Sequence, residues 1–205
     1  MRGAVFLMKR PGRRFIAAAA LAAIGLTDDA AAQREVAQAS VTTYGERNPA
    51  APKELDVFAF LIGKWEGAAK VTTADGTPAE IPVTWIGRYI LDGMAIADEG
   101  HSTAPDGSPA LGISLRQFDS QRKAWIVEFL NVSNSFLRRQ VNADSGSVTV
   151  DGNTVVVVSE APDTWIRENY RVESPDRWTY SIELSNDGGR SWNAQPFTMT
   201  FSRTE

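Results

Sequence analysis

Phe60-Leu61-Ile62-Gly63-Lys64-Trp65-Glu66-Gly67 is the stretch at which the 205-residue chain changes its pattern. Before it, Leu55, Phe58, Leu61 and Ile62 recur at helical spacing and Pro52 suits a first turn. Gly63 suits a helix stop, so a short amphipathic N-terminal helix is expected. After Gly63 every segment reads as strand. The runs are Lys64–Thr73, Glu80–Leu91, Met94–His101, Leu111–Phe118, Ala124–Leu130, Phe136–Val141, Thr154–Glu160, Thr164–Val172, Trp178–Leu184 and Phe197–Arg203. They are rich in β-branched and aromatic residues. Turn sequences such as Ala74-Asp75-Gly76, Leu91-Asp92-Gly93, Pro105-Asp106-Gly107 and Asp151-Gly152-Asn153 separate them. About ten short strands without intervening helices predict an all-β fold, an up-and-down antiparallel β-barrel, because closure removes the exposed edges of a large sheet.

The N-terminal side reads differently. Arg2, Lys9, Arg10, Arg13 and Arg14 precede an apolar run from Phe15 to Leu26, too short for a membrane-spanning helix, and small residues Ala30, Ala31 and Ala32 follow. This is the layout of a signal peptide over residues 1–32, cleaved between Ala32 and Gln33. The expected location is therefore periplasmic or secreted, with no transmembrane span after processing. Arg13-Arg14 before Phe15 resembles a twin-arginine signal without its spacer residue, so the export route stays open. Residues 33–53 mix Ala, Ser, Thr, Pro and charges and are expected to be a flexible leader, with the barrel over residues 54–205.

Composition removes whole classes of function. The chain has no Cys and one His, which excludes disulfide scaffolds, thiolate zinc or iron–sulfur sites, a cysteine nucleophile and multi-histidine metal sites. The formal net charge is −4, and the 173 residues after the expected cleavage point carry 16 basic and 23 acidic side chains. An acidic chain without a basic cluster argues against nucleic-acid partners. No nucleophile elbow, phosphate-binding Gly loop, dinucleotide fingerprint or metal-ligand spacing occurs, so no cofactor or metal is expected.

Gly63-Lys64-Trp65 after a short helix resembles the Gly-x-Trp signature that opens the first strand of lipocalins and their calycin relatives, the group that includes fatty-acid-binding proteins. The last strand ends Phe201-Ser202-Arg203. The resemblance implies that Arg203 packs across Trp65 and joins the two ends of the barrel, as a guanidinium stacks on an indole face. More closely, Leu55 to Arg203 resembles a bacterial calycin-like family of uncharacterised function. The matching pieces are Phe60 to Gly67, Trp85-Ile86-Gly87-Arg88-Tyr89-Ile90-Leu91-Asp92-Gly93, Asp98-Glu99, Leu115-Arg116-Gln117-Phe118-Asp119, and Ser185-Asn186-Asp187-Gly188-Gly189-Arg190-Ser191-Trp192. It implies a lipocalin-like barrel and brings no activity with it. The haem-binding nitrobindins also open Gly-x-Trp-x-Gly-x-Gly, but here Ala69 replaces the last Gly, and no His follows His101 to hold an iron. Ser185-x-Asp187-x-Gly189-x-Ser191-Trp192 fits one copy of the Asp-box of sialidase propellers and is read as a β-turn.

With hairpins at Pro105–Gly107 and Ser120-Gln121, the reading places Ala97, Glu99, His101, Gly112, Ser114, Arg116, Trp125, Val127 and Phe129 on one face. Ile96, Asp98, Ile113, Leu115, Ile126, Glu128 and Leu130 take the other. Small, aromatic and polar residues together suit a lined cavity, so Trp85, Glu99, His101, Ser114, Arg116, Trp125, Val127 and Phe129 are the ligand-binding candidates. Trp65 is expected to be structural. Glu128 and Glu168 are read either as cavity carboxylates or as outward partners of Arg. Three functions remain open. The first is an exported barrel binding a small, mostly apolar or aromatic molecule. The second, which the resemblance to calycin-like barrels implies, is a metal-independent lyase, isomerase or cyclase, with Glu99, His101 and Arg116 as its candidate residues. The third is an envelope protein-interaction module. Apolar residues on both faces of the middle strands also predict that the short helix or a second subunit, as in a homodimer, covers the outer face.

Overall fold

A computed structural model describes residues 42–73, 75–105, 107–131 and 137–205. Among these, a 3-10 helix at Lys53–Leu61 precedes eleven strands: β1 (Gly63–Thr72), β2 (Pro78–Ile90), β3 (Ala95–Thr103), β4 (Pro109–Asp119), β5 (Ala124–Asn131), β6 (Leu137–Val141), β7 (Ser147–Asp151), β8 (Thr154–Ser159), β9 (Trp165–Ser174), β10 (Arg177–Ser185) and β11 (Asn193–Arg203). Sequence neighbours pair antiparallel from β1 to β6 and from β7 to β11, and β1 also pairs with β11, giving the order β6-β5-β4-β3-β2-β1-β11-β10-β9-β8-β7. The result is a nearly closed up-and-down barrel with its seam between β6 and β7.

One expectation about its elements needs correction, the strand count. The eleventh strand is β7, which sequence reading passes over because only Val148 is half-buried and its other four side chains are exposed, so no apolar run marks it. The expected short helix is present and is a 3-10 helix. Leu55, Phe58 and Leu61 recur every three residues, the period of a 3-10 turn, so all three fall on one stripe, and all three are completely buried.

That stripe enters the barrel. The Phe58 ring meets Trp125 edge-on at 5.0 Å and Phe60 meets Trp178 at 5.8 Å, while the Leu61 carbonyl accepts the Trp65 indole N–H at 3.0 Å. The helix therefore closes the end where β1 begins and β11 finishes. It does not cover the outer wall, where Leu115 remains 39% exposed. At the same end the Arg203 guanidinium lies 4.1 Å from the centre of the Trp65 ring, opposite it in register, and donates to the Ile62 carbonyl at 2.7 Å.

The expected leader is partly ordered. Asn48 donates to the Asp92 carbonyl at 3.0 Å, its backbone N–H reaches the Gly93 carbonyl, and Arg47 bonds the Ala51 and Pro52 carbonyls and pairs with Asp56 at 2.9 Å. The β2–β3 turn makes this possible. Gly93 has φ +73°, and a Cβ there would stand 2.2 Å from the Asn48 backbone nitrogen. Residues 42–52 thus belong to the barrel unit, whereas residues 1–41, including the expected signal peptide, lie outside the described residues.

The Asp-box sequence forms the β10–β11 turn. The Asp187 carboxylate accepts the Ser191 hydroxyl and the backbone N–H groups of Arg190 and Ser191, and Ser185 donates to it at 2.7 Å. Led by the Ser191 hydroxyl, these bonds hold the Asp187 pKa well below the ordinary carboxylate value. A carboxylate with a folded pKa below its unfolded one stabilises the fold at pH above the unfolded value, and that contribution is lost as pH falls toward the folded one. The gap in urea midpoint between wild type and Asp187→Ala should hold steady from pH 7 to 5 and shrink below about pH 4.

The barrel's aromatic centre is Trp178, fully buried, stacked on Phe201 at 4.3 Å and edge-on to Trp65 and Trp85 at 5.9 and 5.4 Å. Trp178→Ala should cost about 3–5 kcal/mol in urea unfolding, with Leu115→Ala on the outer wall costing much less.

Candidate functional site

Loop lengths decide which side chains face inward. The β3–β4 connection has five residues, 104–108, and an odd count pairs residues of like parity: Ile96 with Arg116, Asp98 with Ser114, Gly100 with Gly112. The β4–β5 connection has four, 120–123, so parity alternates: Ser114 with Phe129, Arg116 with Val127, Phe118 with Trp125. The interior therefore receives Trp85, Ile96, Asp98, Gly100, Gly112, Ser114, Arg116, Trp125, Val127 and Phe129. The expected face is correct for β4 and β5 and reversed for β3. Glu99 and His101 lie on the outer wall, where Glu99 accepts from Arg88 at 2.5 Å and contacts His101 Nε2 at 3.2 Å. The sheet separates both from Arg116, so the expected Glu99, His101 and Arg116 group does not form.

Beyond the aromatic base the interior opens into a cavity of about 290 Å³. Val71, Ile81, Val83, Phe197 and Met199 supply apolar wall, and Trp85, Asp98, Ser114, Phe129, Glu168, Tyr170 and Tyr180 line its deeper part. Gly100 and Gly112 pair across β3 and β4 and both line the cavity. A Cβ on Gly100 would touch the Trp85 ring at 3.4 Å, and one on Gly112 would press the Phe129 ring at 2.9 Å. Two aromatic rings thus lie against bare backbone at the cavity wall.

Charge is handled by pairing. Arg116 and Asp98 form an ion pair, both side chains at most 1% exposed. Arg116 Nη2 also donates to the Tyr170 hydroxyl at 3.0 Å, and its guanidinium stands 4.8 Å from the centre of the Phe58 ring. Tyr180 donates to Glu168 Oε1 at 2.6 Å. Asp98 Oδ1 and Trp85 Nε1 are buried without a hydrogen-bond partner.

Of the ligand-binding candidates, Trp85, Ser114 and Phe129 line the cavity. Arg116 and Val127 are buried but absent from its lining. Trp125 packs edge-on against Phe58 and Phe118 at the plugged end. The two undecided glutamates separate: Glu168 faces the cavity, and Glu128 accepts from Gln140 at 2.6 Å on the outer wall. Asp98, expected on the opposite face, and Tyr170 and Tyr180, not among the candidates, also line the cavity. The alternation Glu168-x-Tyr170 carried a signal for one of them, since a carboxylate and a phenol on one face of a strand need a shared polar environment. Among the described residues, no cluster of three or more His, Asp or Glu could hold a metal, and no helix is long and apolar enough to cross a membrane.

The chain belongs to a family described as "Protein of unknown function (DUF1579)", whose model matches residues 51–203. No curated protein matches the sequence. Among solved structures, Rv2717c from M. tuberculosis is similar at 16% identity and a TM-score of 0.50, over 76% of this chain and 99% of that one. The S-type phycobiliprotein lyase CPES from Guillardia theta is similar at 12% identity and 0.45, over 73% and 92%. A redesigned beta barrel, b11L5F_LGL, gives 14% and 0.38, over 72% and 94%. The likeness to Rv2717c is one of fold.

Removing one member of the buried ion pair leaves the other charge unmet. Arg116→Leu should cost about 3–5 kcal/mol in urea unfolding, and Arg116→Leu combined with Asp98→Leu should recover most of that loss. Equal destabilisation of the single and double variants would contradict the pairing.

Proposed function

We propose that this is an exported, calycin-type β-barrel protein that binds one small, mostly apolar or aromatic molecule in its cavity. The observation that carries the reading is the cavity itself, lined by Trp85, Phe129, Gly100 and Gly112 and rimmed by aliphatic side chains. Its volume of about 290 Å³ stands at the small end of ligand pockets, and apolar walls with a few convergent polar groups are what such sites need. The basic and apolar pattern of residues 1–32, with Ala30 to Ala32 before Gln33, supports export to the periplasm or the medium.

Binding should be visible from within. Trp85 lines the cavity and sits 5.4 Å from Trp178, so saturable binding of a naphthalene-class probe should shift tryptophan emission. Gly100→Val should abolish the shift: its Cβ meets Trp85 at ordinary contact distance, and its methyl groups occupy the cavity. An undiminished saturable response in the folded variant would place the ligand elsewhere. Protein recovered from the periplasm or the medium should begin at Gln33, and recovery of an intact Met1 terminus there would count against processing.

A further inference from the structure

The outer wall of the barrel has two unlike halves. On β9–β11 its outward positions carry Arg167, Asn169, Thr179, Ser181, Thr198 and Thr200. On β2–β5 they carry Ile86, Ile113, Leu115, Ile126 and Leu130. Leu115, 39% exposed, stands in the middle of this aliphatic area, and the other four are half-buried. Its register partner Ala97 is 3% exposed, a methyl group set below its neighbours, so a projecting side chain lies beside a notch. We infer that the protein pairs with a second copy of itself through this wall, face to face, about a two-fold axis running along the strands between β3 and β4.

The register shows why the occupant is a second copy. Arg88, Ala97, Leu115 and Glu128 form one row across β2–β5, and Ile86, Glu99, Ile113 and Leu130 form the next. Ile90 on β2 and Ile126 on β5 lie on the other side of the first row. A two-fold axis in the plane of contact sets β2 on the partner's β5 and β3 on the partner's β4, row by row. Leu115 then enters the notch over the partner's Ala97. Ile86 comes to the partner's Leu130, Ile90 to the partner's Ile126, and Arg88 to the partner's Glu128. Each contact occurs twice, and aligned packing of two sheets accommodates it.

Charge fixes the arrangement. Within one chain Arg88 and Glu128 stand three strand spacings apart, about 14 Å, too far for an ion pair. Arg88 bonds Glu99, and Glu128 accepts from Gln140. In the pair these two groups meet at both edges of the apolar contact, giving a polar rim that selects one orientation around a dry centre. The interface leaves the cavity untouched, so it stands apart from what the cavity binds.

The test is sedimentation equilibrium of the full chain, which should give twice the chain mass at about 100 μM. Leu115→Arg should raise the dissociation constant at least about tenfold. Val150→Arg, the same added charge at a 57% exposed position on β7, should leave it unchanged. Arg88→Glu and Glu128→Arg should each weaken the dimer, and the two together should bind more tightly than either alone. Circular dichroism checks that each variant folds, and Leu115→Ser replaces Leu115→Arg if the latter does not. A wild-type monomer at that concentration, or a dimer indifferent to both Leu115 substitutions, would overturn the inference. Equal weakening by Val150→Arg, or no recovery in the charge exchange, would overturn this arrangement of the two copies.

Discussion

Everything in this barrel depends on the pairing of β1 with β11. A meander of eleven strands can lie open, and what bends this one into a barrel is the ladder from Trp65–Arg203 to Lys70–Thr198. The guanidinium of Arg203 over the Trp65 indole, together with its bond to the Ile62 carbonyl, ties the last strand to both the first strand and the helix that precedes it. In a chain without Cys, these contacts and the Trp178–Phe201 stack connect distant parts of the sequence without a covalent link. Closure brings the interior faces of β2–β5 opposite those of β8–β11, and only then does Arg116 meet Tyr170.

The interior is divided along its length. At the plugged end large aromatic rings fill the space, with the buried ion pair and Tyr170 beside them. Toward the open end, two glycines replace side chains and leave a cavity. The polar groups stand at the boundary, where the low-dielectric packing below makes pairing of Asp98 with Arg116 matter most. Filled base and lined cavity therefore follow from one pattern of residue sizes along inward-facing strand positions.

Much of the fold was legible before any coordinates. Period-two strands, Asp-Gly turns and the Gly63-x-Trp65 and Arg203 ends led to an antiparallel barrel. β7 escaped because an edge strand with four exposed side chains has no apolar signature, and the helix took a three-residue period because Leu55, Phe58 and Leu61 repeat at that interval. The site was half legible. Face assignment in a barrel is all or nothing for each strand, and the five-residue β3–β4 connection turns Asp98 inward and Glu99 and His101 outward. The Asp98–Arg116 pair was invisible for the same reason. An acidic residue on the face read as outward looks like an ordinary surface group until register brings the arginine to it.

The seam between β6 and β7 gives the barrel a direction of compliance. β1 is held over ten partners on β2, whereas β6 pairs over five residues with β5, and β7 over five with β8. Trp85, Asp98 and Gly100 sit on β2 and β3, on the strongly laddered side. The wall that can spread at least cost lies around the seam, where among the described residues no backbone ladder joins β6 to β7. Such a container holds one wall in fixed geometry while its width can vary on the other side.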